Sequence, residues 1–349
     1  MLVTSTEETD MNKILVTGGL GYIGSHTVVA LQQAGFEVVI LDNLSNSTEE
    51  VAISIENITG TKPIFAKLDL REKEAVSGFF LQHNDVSGII HFAASKAVGE
   101  SVMNPLLYYE NNLNTLIYLL QECEKHQIRN FIFSSSCTVY GEPDSLPITE
   151  NAPIKEAMSP YGNTKQISEE IIRDVCAISD LKTIALRYFN PIGAHNSAEI
   201  GELPIGVPQN LVPFITQTAA GLRDELSVFG NDYPTPDGSC IRDYIHVVDL
   251  ANAHVIAMQR LVSEENQSNF EIFNIGTGRG SSVLEVVNAF EKVTGKNLNY
   301  KIVERRSGDV VSVYADTSKA NRILGWKSEK SMEDALESAW KWERKIRNL

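Results

Sequence analysis

Along the first half of the chain, short apolar runs alternate with stretches whose apolar residues recur at helical spacing. The runs at 13–17, 37–41, 63–68, 88–92, 130–133 and 182–186 have the length and bounding of buried strands. Between them lie helical patterns, notably 105–126 and a stretch opening at Ser159-Pro160. There Ser159 can cap, Pro160 suits the first helical position, and Ile167, Ile171, Ile172 and Val175 form an apolar stripe. Strands alternating with helices imply an α/β fold on a doubly wound parallel sheet. Helical periodicity returns at 283–293 and 332–346, whereas 196–240 is rich in Gly, Pro, Asn and Asp and reads as a smaller, loop-rich lobe. The division expected is a flexible tail at 1–11, a sheet domain at 12–190 and a second lobe at 191–349, with segments near 241–262 returning to the sheet.

The first strand runs directly into Gly18-Gly19-Leu20-Gly21-Tyr22-Ile23-Gly24 and a helical pattern. Gly18, Gly21 and Gly24 are spaced as a variant of the dinucleotide fingerprint, in which glycine permits the tight turn, admits a pyrophosphate to the backbone and lets helix pack on strand. The helix N-terminus then faces the phosphates. Asp42 ends the second strand, 24 residues after Gly18, where an adenosine ribose presents its hydroxyls. A carboxylate there accepts from a 2′-OH and repels a 2′-phosphate, which selects NAD over NADP. Asp69 after the third strand and Phe92-Ala93-Ala94 after the fourth fall at the carboxyl edge of the sheet, where a nucleotide binds; the alanines suit plain packing equally well.

Tyr161 and Lys165, at i and i+4, share one face of the helix that Ser159 opens. A free Tyr titrates near ~10, so using it as a base near neutrality requires a shift of roughly three units, about 4 kcal/mol. An ammonium ~5 Å away at an effective dielectric of ~20 contributes about 3 kcal/mol to the phenolate. On this arithmetic Lys165 is the main activator. The spacing alone also fits an exposed aromatic with a snorkelling neighbour. Ser136, the last of Ser134-Ser135-Ser136, closes a strand and can share the same substrate oxygen, although strand-end serines also satisfy turn backbone.

A chain of 349 residues is long for one domain and comfortable for two. Its net charge of -15 argues against nucleic-acid or anionic-membrane partners, so any phosphate must be held by a few local Arg residues. Cys123, Cys137, Cys176 and Cys240 have no metal-type spacing, so no metal is expected, and reduced thiols in the cytoplasm are the default. No signal-peptide or membrane-span pattern is evident. His246 and His254 read as core or surface histidines.

Together the Gly18–Gly24 loop, Asp42, the SSSCTVYG run ending at Gly141 and Tyr161-xxx-Lys165 resemble the extended short-chain dehydrogenase/reductase superfamily, with its Rossmann sheet. Within it, HFAASKAVGES at 91–101, SPYGNTK at 159–165, LRYFNPIGAH at 186–195, VFGNDYPTPDG at 228–238 and IRDYIHVVDLA at 241–251 closely resemble the UDP-glucose (UDP-galactose) 4-epimerase family, over residues 12–342. That resemblance implies an isomerase that inverts C4 of a UDP-sugar through a transient 4-keto sugar, with NAD kept bound. It assigns Tyr161 as the catalytic base, Lys165 as its tuner on the nicotinamide ribose, and Ser136 as an assistant. It extends the NAD contacts to Tyr22, Ile23, Asn43, Asn46, Ser47, Leu70, Phe92, Ala93, Lys96, Asn111, Ser134 and Tyr188. It places the UDP-sugar against Lys96, Ser136, Tyr161, Asn190, Asn210, Leu211, Phe229, Arg242, Tyr244, Arg306, Asp309 and Val313. It also implies a homodimer through the 105–126 and Tyr161 helices. Arg242 and Arg306 supply the charge a diphosphate needs, though each also fits a solvated surface Arg.

The chain departs from the family pattern at Ala94-Ser95, at Cys137 and at Val313. Val313 falls where the family carries either a bulky Tyr or a small residue beside the sugar C2 group, so the resemblance implies room for UDP-GlcNAc and UDP-GalNAc as well. The rival readings are another NAD-dependent nucleotide-sugar epimerase, a 4,6-dehydratase, and a non-catalytic NAD-sensing regulator on the same fold. Dehydratase relatives carry Asp-Glu after the catalytic Ser/Thr, where this chain has Cys137-Thr138.

Overall fold

The computed structural model describes residues 12–306 and 309–349; the tail expected at 1–11 lies outside the described residues. The chain opens with β1 (Lys13–Thr17), α1 (Tyr22–Gln33), β2 (Glu37–Asp42), α2 (Glu50–Thr59), β3 (Ile64–Lys67), α3 (Lys73–Gln82) and β4 (Val86–His91). It continues through α4 (Val98–Met103), α5 (Pro105–His126), β5 (Asn130–Ser134), α6 (Pro160–Ile178) and β6 (Lys182–Tyr188). The remainder supplies β7 (Asn190–Ile192), α7 (Leu211–Ala219), β8 (Leu226–Phe229), β9 (Ile241–Arg242), β10 (Tyr244–His246), α8 (Val247–Val262) and β11 (Phe270–Ile275). Last come β12 (Ser281–Ser282), α9 (Val283–Thr294), β13 (Tyr300–Val303), β14 (Ser312–Val313) and α10 (Met332–Arg347).

The main sheet has seven parallel strands in the order β11-β6-β5-β4-β1-β2-β3, a Rossmann-like arrangement. Because side chains alternate along a strand, Ile14 and Val16 face one layer while Leu15 faces the other. The first layer packs against α1 and α8 through Val28, Leu31, Leu250 and Met258. The second packs against α3, α5 and α6 through Phe79, Phe80, Leu116, Leu119 and Ile172. The strand order reverses between β1 and β4, so a crevice opens at the carboxyl ends of those strands.

The seventh strand, β11, is absent from the strands read in the sequence. It pairs in register with β6, Phe270 opposite Thr183 through Ile275 opposite Tyr188. Its outer edge is covered by side chains: Lys319 Nζ donates to the Ile272 carbonyl at 2.7 Å, the Asn274 N–H donates to Glu150 Oε1 at 2.8 Å, and Asn274 Nδ2 donates to the Ile148 carbonyl at 2.8 Å. Such covering protects an edge strand from further pairing.

The stretch 196–240 is more structured than its composition implies. It holds α7, whose Val212 and Ile215 join Leu226, Val286, Phe290, Leu336 and Trp340 in a separate apolar core. Pro213 is compatible with α7 because it lies in the first turn, where an N–H has no intrahelical acceptor. Helices α9 and α10 each start with a capping box, from Ser282 and Glu285 and from Ser331 and Asp334.

Candidate active site

The glycine loop is shaped by contacts that admit no side chain. Gly18 has φ +68°, and a Cβ there would lie 2.9 Å from the Ala93 nitrogen. A Cβ on Gly24 would lie 2.2 Å from the Gly18 carbonyl oxygen. Gly21 forms the start of α1 with no side-chain cap, and the first turn carries no acidic residue, so its N–H groups remain suited to an anion. Asp42 is buried at the end of β2, accepting from the Leu20 N–H at 3.1 Å, the Leu44 N–H at 2.9 Å and the Ser47 hydroxyl at 2.9 Å. Asn43 Nδ2 donates to Asp69 at 3.1 Å, and the Arg71 guanidinium holds the Asp69 carboxyl down at about 2. Asn46 is exposed on the same loop, whereas Leu70 belongs to the second core layer and Ile23 packs on the first. The Tyr22 hydroxyl donates across the lobes to the Gly193 carbonyl at 2.6 Å.

At the carboxyl end of β5 the three serines take separate roles. The Ser134 hydroxyl bonds Tyr188 Oη at 2.7 Å, and the Ser134 carbonyl accepts from Lys165 Nζ at 2.7 Å. The Ser135 hydroxyl donates to Glu169 at 2.6 Å. Ser136 Oγ accepts from the Thr138 N–H at 3.2 Å and is also placed to pull the Tyr161 phenol down. Tyr161, Lys165 and Ser136 are 8 %, 5 % and 7 % exposed, which excludes the reading of an exposed aromatic beside a snorkelling lysine. Ser159 caps α6 by accepting from the Gly162 N–H at 3.1 Å. Thr164 and Ser95 are clamped together by Asn112, whose Nδ2 donates to both, while the neighbouring Asn111 donates to the Ser95 hydroxyl.

Burial works against the expected tuning of Tyr161 by Lys165. Lys165 Nζ lies 6.0 Å from the Tyr161 ring centre and 4.8 Å from that of Phe133, held by the Ser134 carbonyl. Burial pushes the phenol well above its ordinary value, with Tyr188 adding to the rise, and it pulls the Lys165 ammonium down to about 8. Burying both groups disfavours their charged forms and so opposes the attraction between them.

The second lobe brings a separate set together at the strand pair β9–β14, where Val313 stands opposite Arg242. Arg242 donates to the Ile241 and Val310 carbonyls at 2.8 Å each and pairs with Asp309 at 3.4 Å. Arg306 pairs with the same Asp309 at 2.8 Å and lies over the exposed Phe229 ring at 5.8 Å. Two cations therefore share one carboxylate, which leaves a net positive patch on an acidic protein. Asn210 donates to Glu202, whose carboxyl burial pushes up and Lys96 pulls back. Leu211 packs at the start of α7, and the Asn190 N–H donates to the Asp243 carbonyl at 2.9 Å. Tyr244 is buried, and its phenol is pushed up.

A family model described as GDP-mannose 4,6 dehydratase matches residues 15–339. The UDP-glucose 4-epimerase of Bacillus subtilis is 50% identical over 331 residues, which cover 95% of this chain and 96% of that protein. The chain belongs to the UDP-glucose 4-epimerase family. A crystal structure of the UDP-glucose 4-epimerase from Stenotrophomonas maltophila with bound NAD and formylated UDP-arabinopyranose superimposes with a TM-score of 0.93 at 47% identity, covering 97% of this chain and 99% of that one. The Bifidobacterium longum enzyme in complex with NAD+ and UDP gives 0.92 at 44% identity, covering 97% and 99%.

Against this epimerase family, the side chains that sequence reasoning passed over are those buried behind the site. Asp243 is fully buried and accepts from the Thr277 N–H and hydroxyl, the Gly278 N–H and the Ala315 N–H, so it joins β10 to the loop after β11 and to the segment after β14. Glu169 and Arg187 form a buried pair between α6 and β6. The signal for Glu169 was its position one turn beyond Lys165 on the same helical face. His246 caps α8 by accepting from the Val248 N–H, and His254 packs on Phe92; both are buried core histidines.

Proposed function

We propose that this chain interconverts UDP-glucose and UDP-galactose by inverting the sugar's C4 centre, with NAD retained throughout. The observation that carries this reading is the buried trio of Tyr161, Lys165 and Ser136 at the same sheet edge as an uncapped glycine loop. The loop fits the cofactor: a Cβ on Gly18 or Gly24 would fill the cradle, and Asp42 ends β2 where a ribose would be read. Gly18, Gly21, Tyr22, Asp42, Asn43 and Asp69 would hold its adenosine half, and Ser134, Tyr188 and Lys165 its nicotinamide half. When bound, NAD supplies reversible storage of the C4 hydride.

The chain's own residues handle the proton and the pivot. Tyr161 accepts the proton of the sugar's 4-hydroxyl and later returns it, with Ser136 bridging phenol and sugar. Lys165, fixed on the Ser134 carbonyl, keeps a positive charge beneath the pair. Because all three are buried, that proton passes between sugar and protein rather than to bulk water. Arg242 and Arg306 hold the diphosphate, so the sugar can turn and present its other face while its anchor stays put. Hydride and proton leave and return, so no net oxidation occurs. Purified protein with no added cofactor is expected to convert UDP-galactose into UDP-glucose, resolved by anion-exchange chromatography. No conversion, even after NAD is supplied, sinks this reading in favour of a regulator.

The same proposal includes the wider pocket at residue 313. Val313 is packed with Val139, Tyr140 and Phe189, and Cys137 of the catalytic turn lies against that cluster. A Val here carries no ring to project toward Cys137 as a Tyr would, which supports turnover of the N-acetylated sugars. Val313→Tyr is expected to lower the ratio of UDP-GalNAc to UDP-galactose turnover at least about tenfold. An unaltered ratio would discard the pocket. Dimerisation through α5 and α6 and a cytoplasmic location complete the proposal. They are supported by exposed Met103 and Leu106 near the start of α5 and by four free cysteines. Among the described residues no helix is long and apolar enough to cross a membrane.

A further inference from the structure

One carboxylate lies behind the candidate catalytic trio. Tyr161, Lys165 and Glu169 follow one another at four-residue spacing down the same face of α6. Glu169 is 2 % exposed, and three donors from two other elements hold its side chain. The Ser135 hydroxyl on the turn after β5 donates at 2.6 Å, Arg187 Nε on β6 donates to the same oxygen at 2.9 Å, and Arg187 Nη2 donates to the other. Ser135 is the centre of the turn whose outer members contact Lys165 and Tyr161: the Ser134 carbonyl accepts from Lys165, and Ser136 faces the phenol. Arg187 is braced in turn, with its guanidinium 4.7 Å over the Tyr140 ring, whose hydroxyl donates to Asn274 at 2.6 Å. The carboxylate is thus fixed to the turn that shapes the trio and to the strand that carries Tyr188.

We propose that Glu169 is a positioning residue of the epimerase site, holding the proton on Lys165 and the Ser134–Ser136 turn in register, so that Tyr161 is the group that takes up and returns a proton. This rests on the function proposed above. The need for such a group follows from burial, which by itself favours a neutral phenol beside a neutral amine, the wrong arrangement for a base. The elements around Lys165 differ in the charge they offer it. On β4, His91 is held neutral at about 3 by burial and by Lys165 itself. On β5, Phe133 offers a ring face and Ser134 a carbonyl. On β6, Tyr188 is a phenol pushed up to about 12, and Arg187 is a second cation. On α6, Glu169 is the carboxylate that raises Lys165. With Lys165 and Arg187 charged and Glu169 ionised, the buried set carries one net positive charge, and ionising Tyr161 brings it to zero.

The test is to follow the Cε resonances of 13C-labelled lysine in the purified holoenzyme against pH, with Lys165 assigned through Lys165→Arg. In Glu169→Gln the Lys165 midpoint is expected to fall by about one unit, since a cation that loses an anionic neighbour gives up its proton at lower pH. In the same protein kcat should drop about 100-fold with KM for UDP-galactose held within about twofold. Glu169→Asp, which keeps the charge, should restore the midpoint in full and turnover in part. Should Glu169→Gln not fold, Ser135→Ala removes only the bond to the turn and is expected to lower kcat about tenfold at unchanged KM and cofactor content. An unmoved Lys165 midpoint in Glu169→Gln, or wild-type kcat in Ser135→Ala, overturns the proposal. The resonance titration requires no turnover, so a wild-type protein inert toward UDP-sugars would overturn the proposed function and still leave the Glu169–Lys165 coupling measured.

Discussion

Tyr161→Phe is expected to lower turnover of UDP-galactose about a thousandfold while the NAD content of the purified protein stays at the wild-type level. The substitution removes one hydroxyl and little else. The ring is buried, and a Phe occupies the same space; the Lys165 bond to the Ser134 carbonyl and the Ser159 cap of α6 do not involve the phenol. Loss of the proton acceptor should therefore show in kcat, with KM nearly constant, because Arg242 and Arg306 are untouched. Single-turnover chromatography, alongside the absorbance of released cofactor, separates the two quantities. Turnover within about tenfold of wild type would remove Tyr161 from the chemistry and shift the base to another group.

The second large effect concerns stability. Asp243 accepts four hydrogen bonds at 2.6 to 3.1 Å, three of them from backbone N–H groups. Gly276 approaches so closely that a Cβ there would stand 2.5 Å from the Asp243 carboxylate, so the site has little room to rearrange. Asp243→Ala leaves those donors without an acceptor, and at about 1–3 kcal/mol for each unsatisfied group, with partial relaxation, the loss should be about 4 kcal/mol. That corresponds to a fall in Tm of roughly 5 °C in a thermal scan. A Tm within about 2 °C of wild type would show that water satisfies the freed donors. Because Asp243 sits between Arg242 and Tyr244, the surviving protein should also bind UDP less tightly.

The parts of the fold legible in the sequence are those fixed by neighbours along the chain. The helical pattern at 105–126 matches α5, which Pro105 opens and which ends with the basic pair Lys125-His126 before a left-handed Gln127. β1, β2, β3 and β5 were readable as apolar runs closed by Gly, Asp or Ser, and β4 and β6 as apolar runs alone. β11 has an equally apolar sequence, yet its membership of the sheet depends on a partner more than 80 residues earlier, and no local pattern encodes that pairing. The site divides the same way. The glycine loop and the Tyr161-Lys165 spacing are local signals. Glu169, Asn112 and Asp243 matter through burial and through partners on other elements, and their types alone did not distinguish them from surface polar residues. Spacing reveals the distance between Tyr161 and Lys165 but not the medium around them.

The lateness of β11 has a consequence for the architecture as a unit of inheritance. The chain leaves the sheet after Tyr188, builds part of the second lobe, comes back with α8 to cover one face and β11 to close one border, and then returns to finish that lobe. A chain ending at Tyr188 would present β6 with a bare row of backbone groups and an uncovered apolar face. The sheet and the second lobe are thus knitted together rather than strung in tandem. Exchanging either for a foreign counterpart would therefore take more than a single splice.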